Sequence, residues 1–137
     1  MSLVFLDTNV LVYAFDADAG GKYEKAQAIL KECWDNQSGT ISTQVLQEFY
    51  VTITRKLSNK VDKQVARNIV QTYKAWQLHS ITPDDIIEAS EFEEQNKFSF
   101  WDSLVVVAAQ KTGASILYSE DMQDKRIGNL TIINPFK

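Results

Sequence analysis

A chain of 137 residues with 45% hydrophobic and 23% charged side chains has the size and composition of one globular domain with one core, which argues against disorder. No apolar run approaches a membrane span, the N-terminus has neither a basic region nor a signal-length apolar stretch, and Cys33 is the sole cysteine, so no internal disulfide can form; the expectation is a cytoplasmic protein. His79 is the sole histidine, which excludes a multi-histidine zinc site, and the net charge of −4 from 14 basic and 18 acidic residues offers no global attraction to nucleic acid, leaving that task to local basic surfaces.

In chain order, Leu3-Val4-Phe5-Leu6 is an uninterrupted apolar run, the habit of a strand buried on both faces of a parallel sheet. A short helix is expected over 10–15, then a loop over 16–21 punctuated by Gly20 and Gly21, then a helix over 22–34 with an apolar stripe from Tyr23 to Cys33. A strand over 40–42 leads into a helix over 43–57, and Asp62 caps a further helix running to about residue 76. A third strand covers 78–81. Thr82-Pro83-Asp84-Asp85 then sets an N-cap threonine, a proline at N1 and an acid at N3 at the head of a helix reaching about residue 96. The next helix, 101–112, is apolar nearly all round and so expected deep in the core. Strands over 115–118 and 131–134 complete an α/β fold of three layers, with a central, mainly parallel sheet of about five strands between helices, and residues 1–137 form a single domain.

Acids follow the strands in a pattern that suggests chemistry. Asp7 ends the first strand, where open α/β sheets place their ligands, although an N-cap role for the helix behind it would also account for it. Thr8 and Asn9 add oxygen donors suited to a hard cation or a phosphate. Glu48 lies roughly 140° from the centre of its helix's apolar stripe at about 100° per residue, which reads as a solvated face. Asp102 falls at N3 after Ser99, a capping-box position, and a first-turn carboxylate on a buried helix is also held rigidly. Asp121 follows the fourth strand in Ser119-Glu120-Asp121-Met122, with Asp124 near enough in sequence to support it. Carboxylates converging on one cleft repel one another, and a divalent cation is the usual compensation.

Taken together, Phe5-Leu6-Asp7-Thr8-Asn9, Ser42 to Phe49, Phe100-Trp101-Asp102-Ser103-Leu104 and Tyr118-Ser119-Glu120-Asp121-Met122 resemble, in order and over essentially the whole chain, the PIN-domain family of metal-dependent ribonucleases, and in particular the VapC-type toxins of toxin–antitoxin pairs. The resemblance implies a PIN-like fold, a Mg²⁺ or Mn²⁺ site formed by Asp7, Glu48, Asp102 and Asp121, and a supporting hydroxyl at Ser119. It implies hydrolysis of RNA by a water nucleophile that leaves a 5′-phosphate and a 3′-hydroxyl. It also implies a small antitoxin as partner and a homodimer as the assembled state, and it sets aside the solvated-face reading of Glu48.

Basic residues Arg55, Lys56, Lys60, Lys63 and Arg67 cluster about one helix–helix connection, with Arg55 and Lys56 the candidates for RNA phosphates. Of the three tryptophans, Trp101, beside Asp102, is a candidate for stacking on a base. Tyr23, Ile29, Leu30, Trp34, Phe49, Tyr50, Ile53 and Leu57 exceed the evident needs of a small core, which suggests a groove for a partner helix. Two other classes stay open: a phosphatase or receiver-type domain with an aspartyl nucleophile, although D-T-N replaces the D-x-D of the former, and a catalytically silent PIN-like binding module.

Overall fold

The computed structural model describes residues 2–137. Its first strand, β1 (Val4–Leu6), lies at the centre of a six-stranded sheet with β2 (Gly39–Ser42), β3 (Gln77–His79), β4 (Ile116–Tyr118), β5 (Lys125–Ile127) and β6 (Leu130–Ile133), in the spatial order β3-β2-β1-β4-β6-β5. All neighbouring pairs are parallel except β5 and β6, a hairpin. The sequence therefore led to one strand too few. The sixth, β5, is a three-residue edge strand too short for alternation to show, but the two residues Gly128-Asn129 before β6 are a hairpin signal. Gly128 has φ +59°, which such turns require and glycine adopts without strain.

Six α-helices connect the strands: α1 (Thr8–Tyr13), α2 (Gly21–Asn36), α3 (Thr43–Arg55), α4 (Lys63–Tyr73), α5 (Pro83–Asn96) and α6 (Phe100–Lys111). The chain steps outward from β1 to β2 to β3 through α1 to α4, then returns across the sheet through α5 and α6 to β4. Right-handed crossovers in opposite directions put the two sets on opposite faces. Accordingly α1 packs on α2 and α3, α3 packs on α4, and α5 packs on α6. Among the described residues no helix is long and apolar enough to cross a membrane.

Helix starts follow the expected side chains. Asp7, Ser42, Asp62, Thr82 and Ser99 each accept a hydrogen bond from a first-turn backbone N–H. Helix α1 begins at Thr8, two residues earlier than expected, because Asp7 is its cap. The loop over 16–21 contains one 3₁₀ turn, Ala17–Ala19. Ser103 through Ala109 of α6 are all buried, as its apolar circumference requires. Gly39 is fixed by close approach: a Cβ there would sit 2.6 Å from the Trp76 ring. Trp76 in turn meets Tyr73 and Trp34 edge-on.

The apolar residues of α2 and α3 leave less free surface than the sequence suggests. Leu30, Phe49 and Ile53 are core residues, and Ile29, Tyr50 and Leu57 pack against that core, so most of the apolar residues on α2 and α3 are needed inside. What remains is a groove of about 500 Å³ between α3 and α4, lined by Leu46, Tyr50, Val51 and Val70 with Arg67 at its edge.

Candidate active site

The strand order reverses between β1 and β4, because β1 leads outward to β2 while β4 leads outward to β6. Such a switch point opens a crevice at the carboxyl ends of the two strands. Asp7 leaves β1 there and Ser119 leaves β4. The two ends are joined by the backbone bond from Asp7 N–H to the Tyr118 carbonyl, 3.0 Å.

Asp7 is 6% exposed. Its Oδ1 accepts from the Thr8 backbone N–H at 2.7 Å and its Oδ2 from the Ser119 hydroxyl at 2.8 Å. A carboxylate offers about four lone-pair sites, so both oxygens keep acceptor capacity. Burial pushes the carboxyl up to about 6 from an ordinary 3.8, against the pull of Ser119 and Thr8, and the charges of Asp102 and Glu48 push the same way. N-cap and site residue are thus compatible roles for Asp7.

The other acids are tied to Asp7 through short side chains. The Thr8 hydroxyl donates to Glu48 Oε1 at 2.7 Å. Asn9 Nδ2 donates to Asp121 Oδ2 at 3.1 Å, while Asn9 Oδ1 accepts from the Glu120 backbone N–H at 3.1 Å. The Ser119 hydroxyl also accepts from the Asp121 N–H at 3.2 Å. Thr8 and Asn9 therefore serve the carboxylates as donors, in addition to the acceptor capacity expected of them. Glu48 is exposed, as the helical wheel requires, yet the exposed face of α3 near its N-terminus borders the crevice.

At α6, the Ser99 hydroxyl accepts from the Asp102 N–H at 3.1 Å. The return bond that would complete a capping box is not formed, unlike at α5, where Thr82 and Asp85 form both halves. The Asp102 carboxylate is thus left for the cleft. Burial raises its pKa, and the charges of Asp121 and Glu48 add to the rise. Asp102 and Asp121 line a cleft of about 280 Å³ with Lys97, Ser99 and Met122.

Asp124 does not join the group. It accepts from the Asn134 N–H at 2.9 Å and pairs with Lys137 at 3.3 Å, so it anchors the last residues of the chain. Arg55 and Lys56 are exposed at the far end of α3. Arg55 follows Glu48 by seven residues, about 10 Å along the same helix face at 1.5 Å per residue.

Two residues at the site were not anticipated. Gln44, one turn before Glu48, is 6% exposed, and its Nε2 reaches Glu48 Oε2 at 3.4 Å and the Trp101 carbonyl at 3.3 Å, linking α3 to the head of α6. Its Oε1 is buried without a partner. Glu120 sits between Ser119 and Asp121 in sequence but turns away. It accepts from the Tyr13 hydroxyl and pairs with Lys22. Burial alone would raise the Glu120 carboxyl, but these partners hold it below the usual range. The i−4 spacing of Gln44 from Glu48 could have signalled the first; no local pattern signals the long-range pairing with Lys22 that neutralises Glu120.

In the ion pairs formed among the described residues, no lysine or arginine pairs with Asp7, Glu48, Asp102 or Asp121. Nor, among the described residues, do three or more Asp, Glu, His or Cys side chains come together as a group that could hold a metal ion. Any cation here would rest on fewer protein ligands than that; Mg²⁺ keeps several waters and is commonly held by one or two carboxylates together with substrate phosphates.

Fold and cleft define a class: an α/β fold with an acid-lined site at a topological switch point. The PIN domain family model matches residues 4–130, and the chain belongs to the PIN domain family. Among curated proteins none matches it. Known structures that share the fold include a toxin–antitoxin complex from Klebsiella pneumoniae, with TM-score 0.71 and 22% identity over 99% of this chain and 99% of that one. DNA-bound VapBC from Salmonella typhimurium aligns with TM-score 0.67 and 16% identity over 98% of this chain and 99% of the other. VapC20 of Mycobacterium tuberculosis, a toxin that cleaves the sarcin–ricin loop, aligns with TM-score 0.66 and 20% identity over 86% of this chain and 89% of its own.

Proposed function

We propose that this protein is a divalent-metal-dependent endoribonuclease and the toxin of a toxin–antitoxin pair. The observation that carries the reading is the convergence of Asp7, Glu48, Asp102 and Asp121 on one switch-point crevice, with the carboxyls of Asp7 and Asp102 raised by burial and by neighbouring acids and no basic side chain paired to any of the four. A bound divalent cation is the usual compensation for acids crowded in this way.

Asp7 and Asp102 are the first choice to hold Mg²⁺ or Mn²⁺, with Glu48 and Asp121 holding it directly, through water, or with a second ion. The cation, when bound, acidifies water and stabilises charge on the leaving oxygen of an in-line displacement. The chain's own part is positional. Ser119 and Thr8 fix the two oxygens of Asp7, Thr8 and Gln44 fix Glu48, and Asn9 fixes Asp121. No histidine is required, and His79 is engaged elsewhere with Asp85. An aspartyl nucleophile is disfavoured, because Asn9 stands where phosphatases of that kind carry the second acid of D-x-D.

Partners follow the same reading. The Klebsiella structure is a complex of toxin and antitoxin, and the groove between α3 and α4 offers this chain a seat for an antitoxin's amphipathic helix. A second copy of the chain completes the assembly. The test is cleavage of total cellular RNA by the purified protein with Mg²⁺, with Mn²⁺ and with EDTA. Wild type should cleave only with metal and leave 5′-phosphates, and Asp102→Asn should lose at least about a hundredfold, roughly 2.7 kcal/mol of barrier. Cleavage that persists in EDTA, or at full rate in Asp102→Asn, removes the mechanism. Expression that leaves growth unaffected removes the toxin role.

A further inference from the structure

The head of α6 carries a feature the acids do not explain. Trp101 is 63% exposed, more than any other large apolar side chain among the described residues. An isolated exposed apolar residue needs no explanation, but this one adjoins Asp102, whereas Trp34, Val65, Ile86 and Ile87, the other exposed large apolar residues, lie on α2, α4 and α5. It is also held in place. The Phe100 ring meets the indole edge-on, with centroids 5.3 Å apart and planes at 76°. The Trp101 carbonyl accepts from Gln44, which also reaches Glu48. Behind it, α6 is buried from Ser103 to Ala109. The ring is thus an exposed aromatic surface on a rigid mount, next in sequence to Asp102 and with its carbonyl tied to the residue that holds Glu48.

Five residues before Asp102 stands Lys97. It caps α5 in the left-handed conformation, φ 56°, so its backbone is fixed, and it is the basic residue lining the cleft that Asp102 and Asp121 share. No ion pair among the described residues engages it. A polyanion approaching four carboxylates meets repulsion, and a cation at the cleft wall relieves it. Arg55 and Lys56, by contrast, lie at the far end of α3.

We propose that Trp101 and Lys97, both at the approach to Asp102 around the head of α6, form a nucleotide-holding subsite: Trp101 stacks on an unpaired base of a single-stranded RNA segment, and Lys97 binds a phosphate of the same segment. The inference rests on the reading of the acids as an RNA-cleaving centre, and it adds the substrate feature that centre engages. Stacking on an indole tolerates any base, since every base has a π-face. This subsite selects for an unpaired base and leaves choice of sequence to other contacts.

The test is binding, separated from cleavage. Fluorescence anisotropy is measured with labelled decauridylate and with a matched decamer of abasic ribose phosphates, on the full-length Asp7→Asn protein in millimolar Mg²⁺, so that the RNA stays intact. Adding Trp101→Ala should weaken decauridylate binding about tenfold and leave the abasic decamer unchanged, and Trp101→Phe should restore most of the loss. Lys97→Ala should weaken both oligomers alike and lower the salt slope by about 0.7. Melting temperatures should stay with the parent, since both side chains are exposed. Equal loss with both oligomers in Trp101→Ala, no loss at all, or a parent that binds neither oligomer overturns the subsite, and an unchanged salt slope in Lys97→Ala removes the lysine from it. Cleavage by the wild-type chain is scored separately. A protein that binds through Trp101 but cleaves no RNA would retain the subsite and lose the nuclease reading.

Discussion

Replacing Asp7 by Asn should stabilise the metal-free protein at alkaline pH, by an amount that shrinks as pH falls. Asp7 is buried, and its carboxyl stands at about 6 in the folded protein against an ordinary 3.8. A group whose pKa rises on folding contributes stability that is fully present below the unfolded value and lost as pH climbs through the folded one. The window is therefore about pH 4 to 6. At 1.36 kcal/mol per pKa unit, the loss reaches about 3 kcal/mol by pH 8 and roughly half of that at pH 5. Asn removes the charge but keeps an oxygen for the Thr8 N–H, and the Ser119 hydroxyl can reverse to accept from the new amide. Urea unfolding in EDTA at pH 5 and pH 8 measures the gap between wild type and variant. Asp85, Glu120 and Asp124 have lowered pKa values, so they are ionised in folded and unfolded chains across this range and drop out of the difference. Mg²⁺ at a hundred times its dissociation constant should return about 2.7 kcal/mol to wild type at pH 8, and much less to Asp7→Asn. A gap that does not change between pH 5 and pH 8 would refute the electrostatic account of the site.

Glu48→Gln should cut metal-dependent RNA cleavage at least about tenfold, or roughly 1.4 kcal/mol of barrier, while the urea midpoint stays put, because the side chain is exposed; unchanged cleavage would return Glu48 to an ordinary surface role. Asp85→Asn should cost about 3 kcal/mol in urea unfolding, since Asp85 is fully buried and holds Lys111 at 2.8 Å, His79 at 2.7 Å and the Thr82 N–H at 2.8 Å; a neutral result would show that this network does not brace α5 against α6 and β3. Gly39→Ala should cost about 1–3 kcal/mol and alter tryptophan fluorescence, as the new methyl would meet the Trp76 ring at 2.6 Å; a stable variant with unchanged emission would mean that Trp76 does not lie against β2.

The fold was legible wherever local chemistry and burial agree. The apolar run of β1 and the apolar stretch of α6 from Leu104 to Ala109 belong to central elements whose patterns reflect burial. The five side-chain caps mark helix starts to within two residues. The edge was harder. β5 has neither the length nor the burial to leave a pattern, and β3 spans Gln77–His79, one or two residues before the expected 78–81, because pairing with β2 sets its limits rather than hydrophobicity.

The site tests the limits of local reading more sharply, through two glutamates. Glu48 reads as a solvated residue because the wheel measures only its angle to the apolar stripe. What the wheel omits is that α3 starts at the end of β2, beside the crevice, so the solvated face of its first turns is also the wall of the site. The bond from Thr8 to Glu48 expresses that placement. Glu120 misleads in the opposite sense. It stands between Ser119 and Asp121 in a strand-end cluster of acids, yet Lys22 and Tyr13 draw it to the far side of α1. The chain leaves β4 at Tyr118 and bends at Glu120 and Asp121, which aims these neighbouring side chains apart. Ser119 and Asp121 turn towards Asp7 and Asn9, and Glu120 turns away. Its neutralisation by Lys22 matters to the site even so: a fifth uncompensated carboxylate at this loop would add to the repulsion that already raises Asp7 and Asp102, and the Glu120 backbone N–H, held by Asn9, keeps Asp121 in register with β1.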